Sequence, residues 1–356
     1  MPMPQKVLLI GAYANGNIGD MYQADAIAGE LLSVDPALEV FSASPSKRSS
    51  PYPALRHKVL PQSAVRDAEV LNSFDLILVG GGGLLAARHA PLPEVAWVQS
   101  IGTTMCGLAL GCAGEAPIQS RAFIEKCARF SVRDEFSATA VSAIRTDIEI
   151  VPDPIFLGRL ASLEVRPPPE ATRGILWVPG KLVPNTLSYY SSLLRQVYNE
   201  KVDAVASFNE ETDKQSGFEE MFGPAVRYLH SVEQFAAAFD QRSFGVSERY
   251  HGCIMALRME IPCFGLVLRS DIVTSKITEL YRRLGLRRAL VRELDDLDRK
   301  RLNSMAKSYF DFAAMAKIIA AERAKLHEFL RSCLAAARGS KAIGPASLDV
   351  EPAALK

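Results

Sequence analysis

Apolar residues along this chain fall into short β-branched runs separated by amphipathic stretches of helical length, the pattern of repeated parallel βα units. In the first half "KVLLIGA", "LEVFSAS", "DLILVGG", "VAWVQSIG", "RFSVRD" and "IEIVPD" predict strands, with helices at "DMYQADAIAGELLSV" and "SRAFIEKCA" between them. The proline-rich "RPPPEATR", residues 166 to 173, interrupts the rhythm and predicts a domain boundary. Beyond it strands are predicted at "GILWVPG", "VDAVASF", "AVRYLH", "SFGVSE" and "PCFGLVL", alternating with helices near 186–199, 231–241, 249–260 and 275–285. After residue 302 the pattern is purely helical. The expected architecture is α/β: a Rossmann-like domain over residues 1–165, a second over 174–302, a helical segment over 303–338, and a disordered tail over 339–356. Two such domains facing each other across a cleft would present the carboxyl ends of their strands to a ligand.

Bulk properties narrow the class. At 356 residues the chain is long enough for two cores rather than one. Lysine plus arginine is 41 against 40 for aspartate plus glutamate, a net charge of +1. That balance argues against nucleic acid as a partner, since no global basic field exists to attract it. Cysteines 106, 112, 127, 253, 263 and 333 show neither a Cys-x-x-Cys pair nor zinc spacing, and read as reduced thiols of a cytoplasmic protein with no metal site. "MPMPQK" lacks the apolar core of a signal peptide, and "IGTTMCGLALGCAG" is too short and glycine-rich to span a bilayer. Any membrane contact is expected to be peripheral, at the inner face.

Two glycine loops follow predicted strands. In "GAYANGNIGDMYQADAI" the spacing of Gly11, Gly16 and Gly19 is neither that of a dinucleotide fold nor that of a Walker loop. The second strand ends in serine where a dinucleotide site would carry an acidic residue for the ribose, which argues against hydride transfer. Asp20 can cap the helix, with Gln23 completing a capping-box-like pair. Alternatively Asn17 and Asp20, beside Gly19, face a cleft and hold a polyhydroxylated ligand. Gly80 to Gly83, with Gly81 and Gly82 at the centre, reads as a second cleft-lining loop.

The most informative segment is "GVSERYHGCIMALRMEIPCFGL". It places Ser247, Arg249 and His251 at a strand-to-helix junction, where unpaired N–H groups and the helix dipole favour an anion. Arg133 in "FSVRDEFS" occupies the same kind of strand end in the other half, open also to a surface ion pair with Asp134 or Glu135. Asp153 lies between two prolines in "VPDPIF", as a rigid turn or a ligand contact. Lys276 in "VTSKITEL" reads equally as a third cation or a solvated helix residue.

In this order and at these separations, "NGNIGD", "VGGGG", "FSVRDEFSA", "VPDPIF" and "SERYHG…IPCFGL" resemble the polysaccharide pyruvyl transferase family, from about residue 6 to 285. The resemblance implies a fold similar to GT-B glycosyltransferases, with the first domain on the acceptor side and the second on the donor side. It implies transfer of the enolpyruvyl carbons of phosphoenolpyruvate to two hydroxyls of a sugar, giving a pyruvate ketal and phosphate. Donor contacts carry over to Arg133, Arg249 and His251.

The residues accommodate that chemistry. A donor bearing a carboxylate and a phosphate calls for fixed cations, which arginine supplies bidentately. On this expectation Arg133, Arg249, Lys276 and Ser247 bind the donor and His251 protonates its methylene carbon. Asn17, Gly19, Gly81 and Gly82 line the acceptor site, where Asp20 serves as cap or as base. Phosphoenolpyruvate is then a co-substrate, with no separate cofactor, and the acceptor is a sugar or a lipid-linked oligosaccharide. A GT-B glycosyltransferase using a nucleotide sugar is the alternative, because the same layout could hold a diphosphate. A non-catalytic glycan-binding protein is a rival from another class.

Overall fold

The computed structural model describes residues 5–45, 56–86, 95–113, 120–158, 174–178, 202–207, 219–220, 226–239, 242–267, 272–292 and 299–342. The chain builds two parallel sheets, each flanked by helices. The first contains β1 (Lys6–Ile10), β2 (Glu39–Ala43), β3 (Lys58–Val59), β4 (Leu76–Gly80), β6 (Thr104–Leu110), β8 (Arg129–Val132) and β9 (Glu149–Ile150). Their spatial order is β3-β2-β1-β4-β6-β8-β9. A small ladder joins β5 (Leu85–Ala86) to β7 (Cys112–Ala113). The second sheet runs β12-β11-β10-β13-β14-β15. It comprises β10 (Gly174–Val178), β11 (Val202–Ser207), β12 (Val226–Tyr228), β13 (Arg242–Ser247), β14 (Cys263–Leu266) and β15 (Leu290–Val291).

Burial on both faces explains the strand sequences. In β1, Val7 and Leu9 enter one core while Leu8 and Ile10 enter the other, on the opposite face. The first of these cores continues from the first lobe into the second without a break. An apolar seam of that kind holds the lobes against each other, since separating them would expose it to water. Helix Phe312–Ala342 returns to the first lobe, where Arg338 pairs with Asp35 at 2.8 Å and His327 with Glu30.

Strand order decides where a ligand can enter. The order reverses direction between β1 and β4 in the first sheet and between β10 and β13 in the second. At such switch points the connections leave to opposite faces, opening a crevice beyond the carboxyl ends of the strands. Those ends carry the two glycine loops in one lobe and the Ser247–His251 junction in the other.

Three local expectations change. "VAWVQS" is helical, Val95–Ser100, and the strand is Thr104–Leu110. Gly107 leaves room for the Phe130 ring from β8, which a β-carbon would approach to 2.6 Å, so the glycine-rich run fits the crowded sheet centre. The first helix begins at Ile18 rather than Asp20. The last helix passes Gly339 and reaches Ala342, and the rest of the expected tail lies outside the described residues, as do the 166–173 linker and the 186–199 helix.

Candidate active site

The first lobe supplies a loop and a helix start. Asn17, not Asp20, caps helix Ile18–Val34, its side chain accepting from the N–H groups of Gly19 and Asp20. Asp20 is therefore released from capping, and Asn15 Nδ2 donates to its Oδ2 at 2.7 Å. Gln23 is no capping-box partner either: it is fully buried and reaches across to Asp153. Gly81 and Gly82 adopt φ of 75° and 88°, a region that side chains oppose. A β-carbon on Gly81 would stand 2.3 Å from Gln23 Oε1, and one on Gly82 3.2 Å from Asp20 Oδ1. The second glycine loop thus lies directly over the Asp20–Gln23 face of the helix.

The second lobe supplies His251. Ser247 ends β13 fully buried, its hydroxyl accepting from Arg249 N and donating to Arg249 O, both at 3.0 Å. Through these bonds Ser247 shapes the strand-to-helix junction. Arg249 is the N-cap residue of helix Tyr250–Arg258 and half-buried. His251, 8% exposed, lies across Gly19 of the other lobe, with Nδ1 at 3.6 Å from Asp20 Oδ1. Lys276 comes from helix Ile272–Arg283, its ammonium 3.9 Å from a β-carbon built on Gly83. Burial lowers its pKa to about 8, with Arg133 adding to the shift and Asp134 and Asp20 opposing it. Lys276 is a cleft residue, not a solvated one.

Asp153 joins the lobes. Wholly buried, it accepts from Arg133 at 3.0 Å and Gln23 at 2.7 Å, and its Oδ2 stands 3.4 Å from His251 Nε2. Burial alone would raise its carboxyl, but His251, then Arg133 and the Ile155 N–H, outweigh it and hold the group well below the usual carboxylate range. Arg133 is 4% exposed, pairs also with Asp134 at 3.6 Å, and stacks over the Tyr250 ring at 4.9 Å. Two carboxylates and a ring surround its charge. Through Asp153, Arg133 is linked to His251. Arg258, two helical turns beyond His251, donates to the carbonyls of Ile155, Phe156 and Gly158 at 3.0, 2.5 and 2.7 Å. It ties the Asp153 turn to the helix that carries His251.

Residues from six separated sequence segments therefore meet between the lobes, with Arg133, Asp134, Tyr250 and Lys276 lining one small cavity. A sequence model of the family described as polysaccharide pyruvyl transferase matches residues 17–270, a span that contains all of them but Asn15 and Lys276. The chain belongs to this family. Among curated proteins none matches it by sequence. Its fold is GT-B-like. UDP-N-acetylglucosamine 2-epimerase from Rickettsia bellii is similar at TM-score 0.59 and 10% identity, covering 96% of this chain and 99% of that one. A MnaA–UDP co-structure from S. aureus is similar at TM-score 0.54 and 11% identity, covering 89% and 95%.

For this pyruvyl transferase family member, the motif residues Asn17, Gly19, Asp20, Gly81, Gly82, Arg133 and His251 gather where the lobes meet, and Arg249 stands at the N-cap of the helix that carries His251. Sequence reasoning took Gln23 only for a capping partner and passed over Arg258. Gln23 follows Asp20 by three residues and so shares its helix face, and Arg258 follows His251 by seven, again on one face. Spacing offered both, but which carbonyl or carboxylate each meets depends on chain far away. Tyr13, whose hydroxyl donates to Gly80 O at 2.6 Å, also tethers the two glycine loops. Among the described residues no cluster of three His, Cys, Asp or Glu side chains is arranged for a metal, and no helix is long and apolar enough to cross a membrane.

Proposed function

We propose that this protein transfers the enolpyruvyl group of phosphoenolpyruvate to two hydroxyls of a sugar, forming a pyruvate ketal and releasing phosphate. The observation that carries the reading is the meeting of His251 and Lys276 from one lobe with Asp20 and the Gly81–Gly83 loop from the other. This supplies an acid, a cation and a base within one cleft. Lys276 and Arg249 bind the doubly anionic donor, the ammonium as a compact charge and the guanidinium as a planar fork. The backbone N–H groups at the start of helix Tyr250–Arg258 add to the same field. His251 protonates the methylene carbon, which makes the adjacent carbon electrophilic. Asp20, with Asn15 on its other oxygen, accepts the proton of the attacking hydroxyl.

On this reading the acceptor sugar sits beside Asp20, whose carboxylate stays partly exposed next to the Gly81–Gly83 loop. The acceptor is a polysaccharide unit or its lipid-linked precursor, reached at the cytoplasmic face of a membrane by peripheral contact.

Incubation of the purified protein with phosphoenolpyruvate and a panel of nitrophenyl and lipid-linked sugars, read by mass spectrometry, tests the reading. A product heavier by one pyruvate ketal, lost in His251→Ala, supports it. Thermal stabilisation by UDP-sugars but not by phosphoenolpyruvate would instead support nucleotide-sugar chemistry. Fold likeness alone leaves that alternative open, since one scaffold hosts many reactions.

A further inference from the structure

Asp153 is a carboxylate with every lone pair facing a donor or a basic ring. Its Oδ1 accepts from Gln23 Nε2 at 2.7 Å and from Ile155 N at 3.2 Å. Its Oδ2 accepts from Arg133 at 3.0 Å and faces His251 Nε2 at 3.4 Å. An ionised carboxyl group has about four acceptor positions and no donor. The atom of Gln23 that meets Asp153 must therefore be the amide nitrogen, which fixes the orientation of that side chain. Gln23 Nε2 and His251 Nε2 stand 3.2 Å apart. With Nε2 bare, Gln23 would donate to the ring; with Nε2 protonated, the two nitrogens are donors side by side at the two oxygens of Asp153.

The two ring nitrogens have opposite surroundings. Nε2 faces Asp153 and Gln23, both with no exposed surface. Nδ1 lies over Gly19, where no side chain intervenes, 3.6 Å from the partly exposed Asp20. Asp20 and Asp153 are the charged groups touching the ring among the described residues, with Arg133 behind Asp153 and the Tyr250 ring centroid 5.6 Å away. The Nδ1 edge thus faces a partly exposed carboxylate, and the Nε2 edge faces groups with no exposed surface.

We infer that Asp153, held by Gln23 and Arg133, is the positioning carboxylate of this site: it keeps His251 protonated at Nε2, so the proton that His251 gives and takes passes through Nδ1. The choice of proton rests on the pyruvyl-transfer reading, whereas the tautomer does not. In the addition step the electron pair of the donor's C2=C3 bond takes the Nδ1 proton. A C–H bond forms at C3, the N–H electrons remain on Nδ1, and the ring is left neutral with Nε2–H on Asp153. The first hydroxyl bonds to C2 and its proton passes to Asp20, then back to Nδ1. The second hydroxyl displaces phosphate, which departs with the second hydroxyl's proton. Asp153 never exchanges a proton, and its role matches that of the buried carboxylate in a nucleophile–histidine–carboxylate triad.

Nitrogen-15 NMR of the full-length protein, with the five histidines labelled and His251 assigned by loss in His251→Gln, reads the tautomer directly. A neutral ring carrying its proton on Nε2 is the expected result, and a proton on Nδ1 overturns the inference. The tautomer is read on the wild-type protein without substrate, and the variant serves only for assignment. In Asp153→Asn the tautomer preference weakens and kcat falls about 10²-fold with little change in the phosphoenolpyruvate KM. Asp153→Glu restores part of kcat, and Gln23→Met lowers kcat without raising KM. Variants at Asp153 and Gln23 that raise KM but leave kcat and the ring spectrum unchanged would overturn the positioning role. An Nε2–H ring in a protein without pyruvyl transfer supports the positioning and overturns the pyruvyl reading.

Discussion

Gly19 lies under the imidazole of His251 so closely that a β-carbon there would stand 2.3 Å from the ring. Two lobes thus touch at a position where one side has no side chain and the other has the candidate acid. The backbone at Gly19 is ordinary helix, so alanine would be accepted locally and even favoured. Gly19→Ala should therefore keep its circular dichroism spectrum while displacing the ring. An ångström of misplacement can cost about 10²-fold in rate, and kcat should fall by that order. An unchanged kcat would show that the ring does not work from this position.

Lys276 gives the donor site a pH limb. Its pKa, lowered to about 8 mainly by burial, means that the cation is present below that pH and lost above it. The phosphoenolpyruvate KM should rise as pH passes 8. Lys276→Arg, which stays charged, should flatten the rise, and Lys276→Met should show a high KM at every pH. Steady-state kinetics between pH 6 and 9.5 separate the three.

Asp153 makes stability depend on acid. Its folded carboxyl is held below the unfolded value, so its contribution is present above about pH 4 and is lost as pH falls toward the folded pKa. Urea unfolding of the wild type should lose stability through that window. Asp153→Asn should lack this part of the slope and be less stable at pH 7 by about 1–3 kcal/mol, the scale for losing a charged hydrogen-bond partner, since Arg133 keeps Asp134. An equal acid slope in both proteins would contradict the geometry.

Arg258 holds three carbonyls of the Asp153 turn with one guanidinium. Arg258→Met removes those donors while preserving bulk; Ile155 O keeps the Gly158 N–H, whereas the Phe156 and Gly158 carbonyls lose a charged donor at about 1–3 kcal/mol each. The melting temperature should fall, and hydrogen exchange should quicken at residues 153 to 158 before it quickens in β4. Faster exchange in β4 first would show that Arg258 serves the core rather than the turn.

Much of this was legible in the chain itself. Strand–loop–helix alternation gave two α/β lobes, because a strand buried on both faces must be apolar throughout and its covering helices amphipathic. The glycine loops and the Arg-x-His junction stood out, because backbone that approaches a ligand or another chain excludes side chains. Local reading erred where neighbours decided: Asn17 took the cap that Asp20 could have filled, and "TMCGLAL" rather than "VAWVQS" entered the sheet.

Sequence alone determined which residue types stand at the strand ends, since that follows from short-range periodicity. Tertiary structure decided which charges meet. Arg133 and Asp153 are twenty positions apart, and Asp153 and His251 ninety-eight, yet all three close on one another across two lobes. A charge's effect depends on its distance and burial in space, and both are set by the docking of one lobe on the other.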